Sequence, residues 1–141
     1  MTRTQFNAFC GNLPAATHAV QWGGAEVWKL GGKVFAIGRF VDADAFITFK
    51  AGDIGYEFLK DQPGVRPAPY LASRGLKWVQ LYDCAAMPET ELRSHLRQSH
   101  AQVAAGLPRR TRRSLGLEEA APHAPAAPRF RRPRGLENPT T

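Results

Sequence analysis

Two glycine pairs, at residues 23 to 24 and 31 to 32, separate three short runs rich in β-forming residues, THAVQW, AEVWKL and KVFAIGRF. Each pair can take the positive φ angles that a tight hairpin needs, so the three runs are predicted to form an antiparallel meander. In the middle run Val27 and Lys29 would face one way and Trp28 and Leu30 the other, and one face is expected to be wet. After the Asp-Ala-Asp turn at 42 to 44, AFITFK reads as a further strand.

Helical spacing frames these strands. Phe6, Phe9, Cys10 and Leu13 recur as one buried face, which predicts a helix over residues 4 to 12, capped by Thr4 and ended before Pro14. Residues 53 to 60 place Ile54, Phe58 and Leu59 on one face behind Asp53 as N-cap, although Gly55 weakens that helix. Pro63 and Gly64 close it. Pro67 and Pro69 fix their own φ and push Arg66 and Ala68 into extended conformations, so the connection that follows is expected to be stiff. KWVQLY then alternates as a late strand, with Val79 and Leu81 on one side and Trp78 and Gln80 on the other. Pro88 opens a long helix with Glu89 and Glu91 near its positive end and a stripe through Leu92, Leu96, Val103 and Leu107. PRRTRRSLGL, 108 to 117, reads as a short basic helix or helical turn.

Beyond residue 117 the chain carries five prolines, few large apolar residues and no periodicity, the composition of a disordered tail. The expected organisation is therefore an α+β domain over 1–117, an antiparallel sheet of hairpin-connected strands covered by helices, followed by a Pro/Ala/Arg-rich tail over 118–141. A hydrophobic content of 43% with eight Phe, three Trp and three Tyr suffices for one core.

Charge is distributed unevenly. Residues 1 to 104 carry a net +2 and residues 105 to 141 a net +5, out of +7 for the chain, and all eight late cations are arginine. Arginine pairs with phosphate through two parallel hydrogen bonds, which makes polyanions the natural partner class. Cys10 and Cys84 are too few for a disulfide framework and read as buried thiols in a reducing cytoplasm. No leader-like segment and no apolar stretch near the ~20 residues of a membrane span is present in the sequence, so a cytoplasmic protein that does not engage membranes is expected.

Taken in order, the first helix, LPAATHAVQWG, the hairpin ending GGKVFAIG, the strand ending Phe49 and Lys50, VRPAPYL, WVQL and LRQSHAQVAAGLPRR resemble the MmcQ/YjbR family over roughly residues 4 to 116. Val65, Arg66, Pro67, Tyr70, Leu71 and Trp78 carry the resemblance most specifically, with the region of Ser99, Leu107 and Pro108 second. The resemblance implies a compact two-layer α+β domain of the kind described as a double-wing DNA-binding motif. It also implies a tyrosine after the serine of the last helix, where this chain has His100.

Each chemistry-bearing residue type also has a simpler structural role. His95 and His100 are five apart and share no helix face, and His18 and His123 lie far away, so no metal and no cofactor is expected. GGK at 31 to 33 lacks the leading glycine and trailing hydroxyl of a phosphate loop and reads as a turn. Ser73, Ser94, Ser99 and both cysteines lack a flanking nucleophile signature, Asp42 and Asp44 fit a polar turn, and no catalytic residue is predicted. The arginines are the better candidates. Arg109, Arg112 and Arg113 share one side of a helix beside Arg110, and Arg129, Arg131, Arg132 and Arg134 bracket Phe130. Arg66, Tyr70, Arg74 and Lys77 are open as further surface contacts, with Arg66 read first as a clasp on the loop's carbonyls. Two functions follow: a monomeric, non-enzymatic DNA-binding protein that grips phosphates with the C-terminal helix and tail, or an adaptor that docks on an acidic protein partner.

Overall fold

The computed structural model describes residues 1–117, and the expected tail lies outside the described residues. The elements are α1 (Arg3–Gly11), β1 (Thr17–Gln21), β2 (Ala25–Leu30), β3 (Lys33–Val41), β4 (Asp44–Lys50), α2 (Gly52–Leu59), β5 (Val65–Pro67), β6 (Trp78–Leu81), α3 (Glu89–Gly106) and α4 (Arg109–Ser114). The six strands form one antiparallel sheet in the order β1-β2-β3-β4-β6-β5. The fold is thus the predicted α+β arrangement. Pro67, which cannot donate to a ladder, sits on edge strand β5, where its missing N–H costs least.

Register assigns the faces. Gly38, Ile47, Leu81 and Val65 stand side by side across four strands, as do Trp28, Ala36, Phe49 and Val79. These rows meet Phe6 and Cys10 of α1 and Leu92, Leu96 and Val103 of α3 in one continuous core. Gly38 is the point of closest approach: a Cβ there would lie 2.6 Å from Phe6 Cε2. Ser99 fastens α3 to the same face, donating from Oγ to Phe35 O (2.6 Å) and accepting from Lys50 N (2.9 Å). Phe35 stands at the irregularity where the β2–β3 register shifts, and the fully buried Ser99 hydroxyl supplies a partner there.

The opposite face carries Val27, Ile37, Thr48, Gln80 and Arg66. It is not uniformly wet as expected. Val27 is fully buried, because the register sets it between Ala19 and Ile37.

Helix starts also differ from expectation. The cap of α1 is Thr2, not Thr4: Thr2 Oγ1 accepts from Gln5 N (3.1 Å) while Thr2 N donates to Gln5 Oε1 (2.9 Å), a capping box. In α2 the cap position falls on Ala51, and Asp53 lies within the first turn without capping. Ala51 N and Gly52 N both donate to Lys77 O, which fixes the entry angle so that Tyr56 and Leu59 turn inward. Ile54 and Phe58, expected in the core, are instead 88% and 69% exposed.

Candidate nucleic-acid interface

Helix α4 follows α3 after the buried Leu107, and Pro108 sets its start. Arg112 folds back, donating from Nη1 to Leu107 O (2.7 Å) and Ala105 O (3.3 Å), and so satisfies carbonyls at the end of α3 that the helix leaves without partners. Arg109, Arg110 and Arg113 are exposed. The β2–β3 turn packs beneath them: at Gly31, where φ is +58°, an added Cβ would lie 3.0 Å from Leu107 Cδ1 and 3.3 Å from Thr111 Cγ2. Glycine is required there by both backbone and space. Two residues on, the exposed Lys33 therefore stands beside α4.

Lys33 also lines a groove of about 460 Å³, together with Lys50, Trp78, Gln102 and Leu107, and no carboxylate lines it. Gln102 is anchored through Nε2 to Ala51 O (3.3 Å), and Lys50 is anchored through its backbone N to Ser99. The two lysines of the groove thus come from the β2–β3 turn and the end of β4, and Leu107 joins the groove to the start of α4.

The remaining predicted contacts go elsewhere. Arg66 donates from Nε and Nη2 to Gln80 Oε1 (2.8 and 2.6 Å) and lies over the Tyr82 ring, so it clasps a side chain of the sheet and not the loop's carbonyls. The 68–71 loop finds its own partners, with Ala68 N bonded to Trp78 O and Leu71 N to Pro69 O. Arg74 lies over Tyr70, and Lys77 lies 4.9 Å from the centre of the Tyr56 ring on α2. Arg129, Arg131, Arg132 and Arg134 lie outside the described residues. Lys33 and Lys50 are the residues that sequence reasoning missed. The GGK turn is the local signal for Lys33, but a turn does not show what it packs against.

Two of the serines have structural partners. Ser73 Oγ donates to Tyr70 O (2.7 Å), and Ser99 is held as described. Burial pushes the Cys10 thiol up to about 12 and raises Cys84 as well, which keeps both protonated near neutral pH. His100 packs edge-on against Phe35 and bonds Pro14 O through Nε2 (2.8 Å), and desolvation holds its pKa below the usual imidazole value despite that bond. Glu26, nearly buried, is reached by Arg3, by Asn7 Nδ2 (3.1 Å) and by His18 Nε2 (2.6 Å). Burial raises its pKa, but hydrogen bonds from His18, Asn7 and Arg3 outweigh that and hold it below the ordinary carboxylate value. Trp28 Nε1 donates to Asn7 Oδ1 (2.9 Å), so the cluster pins α1 to β1 and β2. Among the described residues, no three His, Cys, Asp or Glu side chains gather as a metal site would require, and no helix is long and apolar enough to cross a membrane.

One antiparallel sheet, helices on one face and a lysine-lined groove beside a basic helix define an α+β protein with a cationic end. A model of the YjbR family matches residues 11–102, and the chain belongs to that family. The match stops before α4, so the arginines of that helix lie beyond it. The crystal structure of the Deinococcus radiodurans protein DR2400, which carries a DUF419 domain, is similar with a TM-score of 0.72 and 22% identity, covering 86% of this chain and 96% of that one. That likeness speaks for the fold. No curated protein matches the chain.

Proposed function

We propose that this protein is a non-enzymatic nucleic-acid-binding protein, acting as a monomer without a cofactor, that holds a DNA phosphate backbone along α4 and the adjoining groove. The observation that carries the reading is a groove lined by Lys33 and Lys50 and by no carboxylate, reaching Leu107 at the start of a helix that exposes Arg109, Arg110 and Arg113. Arginine suits the two-pronged grip on phosphate, lysine the point contact, and neither reads base sequence. Arg112 serves the fold, as the cap of α3. The arginines at 129, 131, 132 and 134 would extend the phosphate track.

Fluorescence anisotropy with random-sequence duplex tests this in the full chain. Binding is expected at low salt and should weaken steeply as salt rises. Replacing Arg109, Arg110 and Arg113 by alanine should weaken binding equally on unrelated sequences, and no binding at low salt would refute the reading.

A second reading is an adaptor that docks on an acidic protein partner, and the exposed Ile54 and Phe58 of α2 favour a protein contact. Capture of one defined protein that survives nuclease treatment and is lost in Ile54→Ser/Phe58→Ser would favour it over DNA binding.

A further inference from the structure

A second cavity, of about 590 Å³ and within the size range of small-molecule sites, opens on the helix-free face of the sheet, lined by other residues than the α4 groove but only one same-face row from its Lys50 and Trp78. Its floor is a row of three registered residues, Ile37, Thr48 and Gln80, on β3, β4 and β6. Trp22, from the β1–β2 turn, and Tyr70, from the β5–β6 connection, also line it. These rings are 56% and 73% exposed, and both residues sit at positive φ, +49° and +72°, which is unfavourable for an aromatic residue. Strain of this kind gathers at ligand sites, and here it presents two bulky rings to solvent where burial does not demand them.

The polar groups around the floor are arranged as donors. Arg66 has no acceptor to offer, so its two bonds fix Gln80 Oε1 toward itself and leave Gln80 Nε2 pointing the other way, 3.4 Å from Thr48 Oγ1. Thr48 accepts there, which frees its own hydroxyl hydrogen to donate. Arg39 donates to the carbonyls of Trp22 and Gly23, bracing the turn that carries the Trp22 ring, and Arg74 lies over the Tyr70 ring. No carboxylate lines the cavity, and among the described residues neither Arg39 nor Arg74 forms an ion pair with one.

We infer that this cavity binds a small planar aromatic anion, its ring against Trp22 and Tyr70 and its anionic group on Arg39 and Arg74. The flanking rings, with Ile37 on the floor between them and the polar row, take the flat part by stacking. Two guanidinium groups that no carboxylate pairs, with the Thr48 hydroxyl beside them, suit an oxygen-rich charged group. A carboxylate and a monophosphate share that chemistry, and the test separates them.

Tryptophan fluorescence and calorimetry on the full chain, with adenosine monophosphate, indole-3-carboxylate, adenosine and inorganic phosphate as probes, decide the matter. At least one of the two ring anions should bind saturably below about 1 mM, with adenosine and phosphate at least about tenfold weaker. Preference for the nucleotide assigns the anionic group as phosphate, and preference for the indole assigns it as carboxylate. Arg74→Gln and Tyr70→Gly, both at exposed positions, should each weaken binding at least about tenfold, whereas alanine at Arg109, Arg110 and Arg113 should leave it unchanged. Tyr70→Gly also relieves the positive φ, and a thermal melt like the parent's separates its loss of binding from unfolding. The inference is overturned if neither ring anion binds below about 1 mM, if adenosine binds as well as either, or if both cavity variants bind like the parent.

Discussion

At Ser99 one hydroxyl serves two backbone groups of different strands, and its deletion would strand both in a dry environment. Ser99→Ala is expected to cost about 1–3 kcal/mol in chemical denaturation, and the change should appear in the midpoint with the slope unchanged. Gly38→Ala acts through volume. A methyl 2.6 Å from Phe6 Cε2 and 2.8 Å from Phe40 Cε2 forces these packed rings to shift, with an expected loss of about 1–3 kcal/mol. His100 contributes a pH dependence. Its folded pKa lies below the unfolded value of 6.5, so as pH falls through that value the unfolded chain takes up a proton the folded chain refuses, and stability declines. His100→Tyr, which keeps a donor for Pro14 O, should lose this part of the acid limb, while a limb starting at the carboxylate range remains from Glu26. Glu26 is held below its unfolded value of 4.5, so its stabilisation is present above that pH and is lost as pH falls through the folded pKa. Thermal melts of the parent and His100→Tyr between pH 7 and pH 5 check the sign: equal declines would contradict the role given to His100.

At the scale of elements, the strands were legible because their signals are local. Glycine pairs, alternation and prolines each act within a few residues, and β2, β3, β4 and β6 fall where those signals place them. In the stretch from Pro63 to Leu81 the return to the sheet falls as expected, but the part expected as a stiff connection includes an edge strand, β5, whose pairing with β6 is a long-range event its prolines do not announce. Helix α2 was misjudged because Ile54 and Phe58 have the right spacing for a buried face, yet spacing does not say which way a helix is rotated. That is set by Lys77 O, a group 25 residues or more along the chain, which holds Ala51 N and Gly52 N. The same limit explains the interface. The α4 arginines were visible as a cluster, but Lys33 and Lys50 join them only because Gly31 lets a hairpin pack under Leu107 and Thr111, and long-range contacts of this kind leave no local pattern. Nor could sequence show that Arg112 is turned back onto carbonyls. The exposed pair on α2 carries its own expectation: Ile54→Ser/Phe58→Ser should change stability by no more than about 0.5 kcal/mol, since neither side chain is buried. A loss of several times that would mean the helix packs differently from its description.

Across the whole molecule, two surfaces share one rigid sheet. The groove of Lys33 and Lys50 reaches Leu107 at the start of α4, and the aromatic cavity lies on the face that α1 and α3 leave uncovered, one same-face row along β4 and β6 from Lys50 and Trp78. The first is suited to a long polyanion, the second to a small flat one, and the variants that disable each are different. Salt separates them further, because releasing counterions from a polyanion gives a steep dependence that a single small anion does not. If Arg109, Arg110, Arg113, Lys33 and Lys50 each neutralise a phosphate, log affinity for duplex DNA should fall with log salt at a slope of about −4 to −5, and alanine at the three arginines should reduce it to about −2. That titration, run on the full chain and the triple variant, is the most direct measurement of the account. A slope that does not change in the variant, or no binding at low salt, would contradict it.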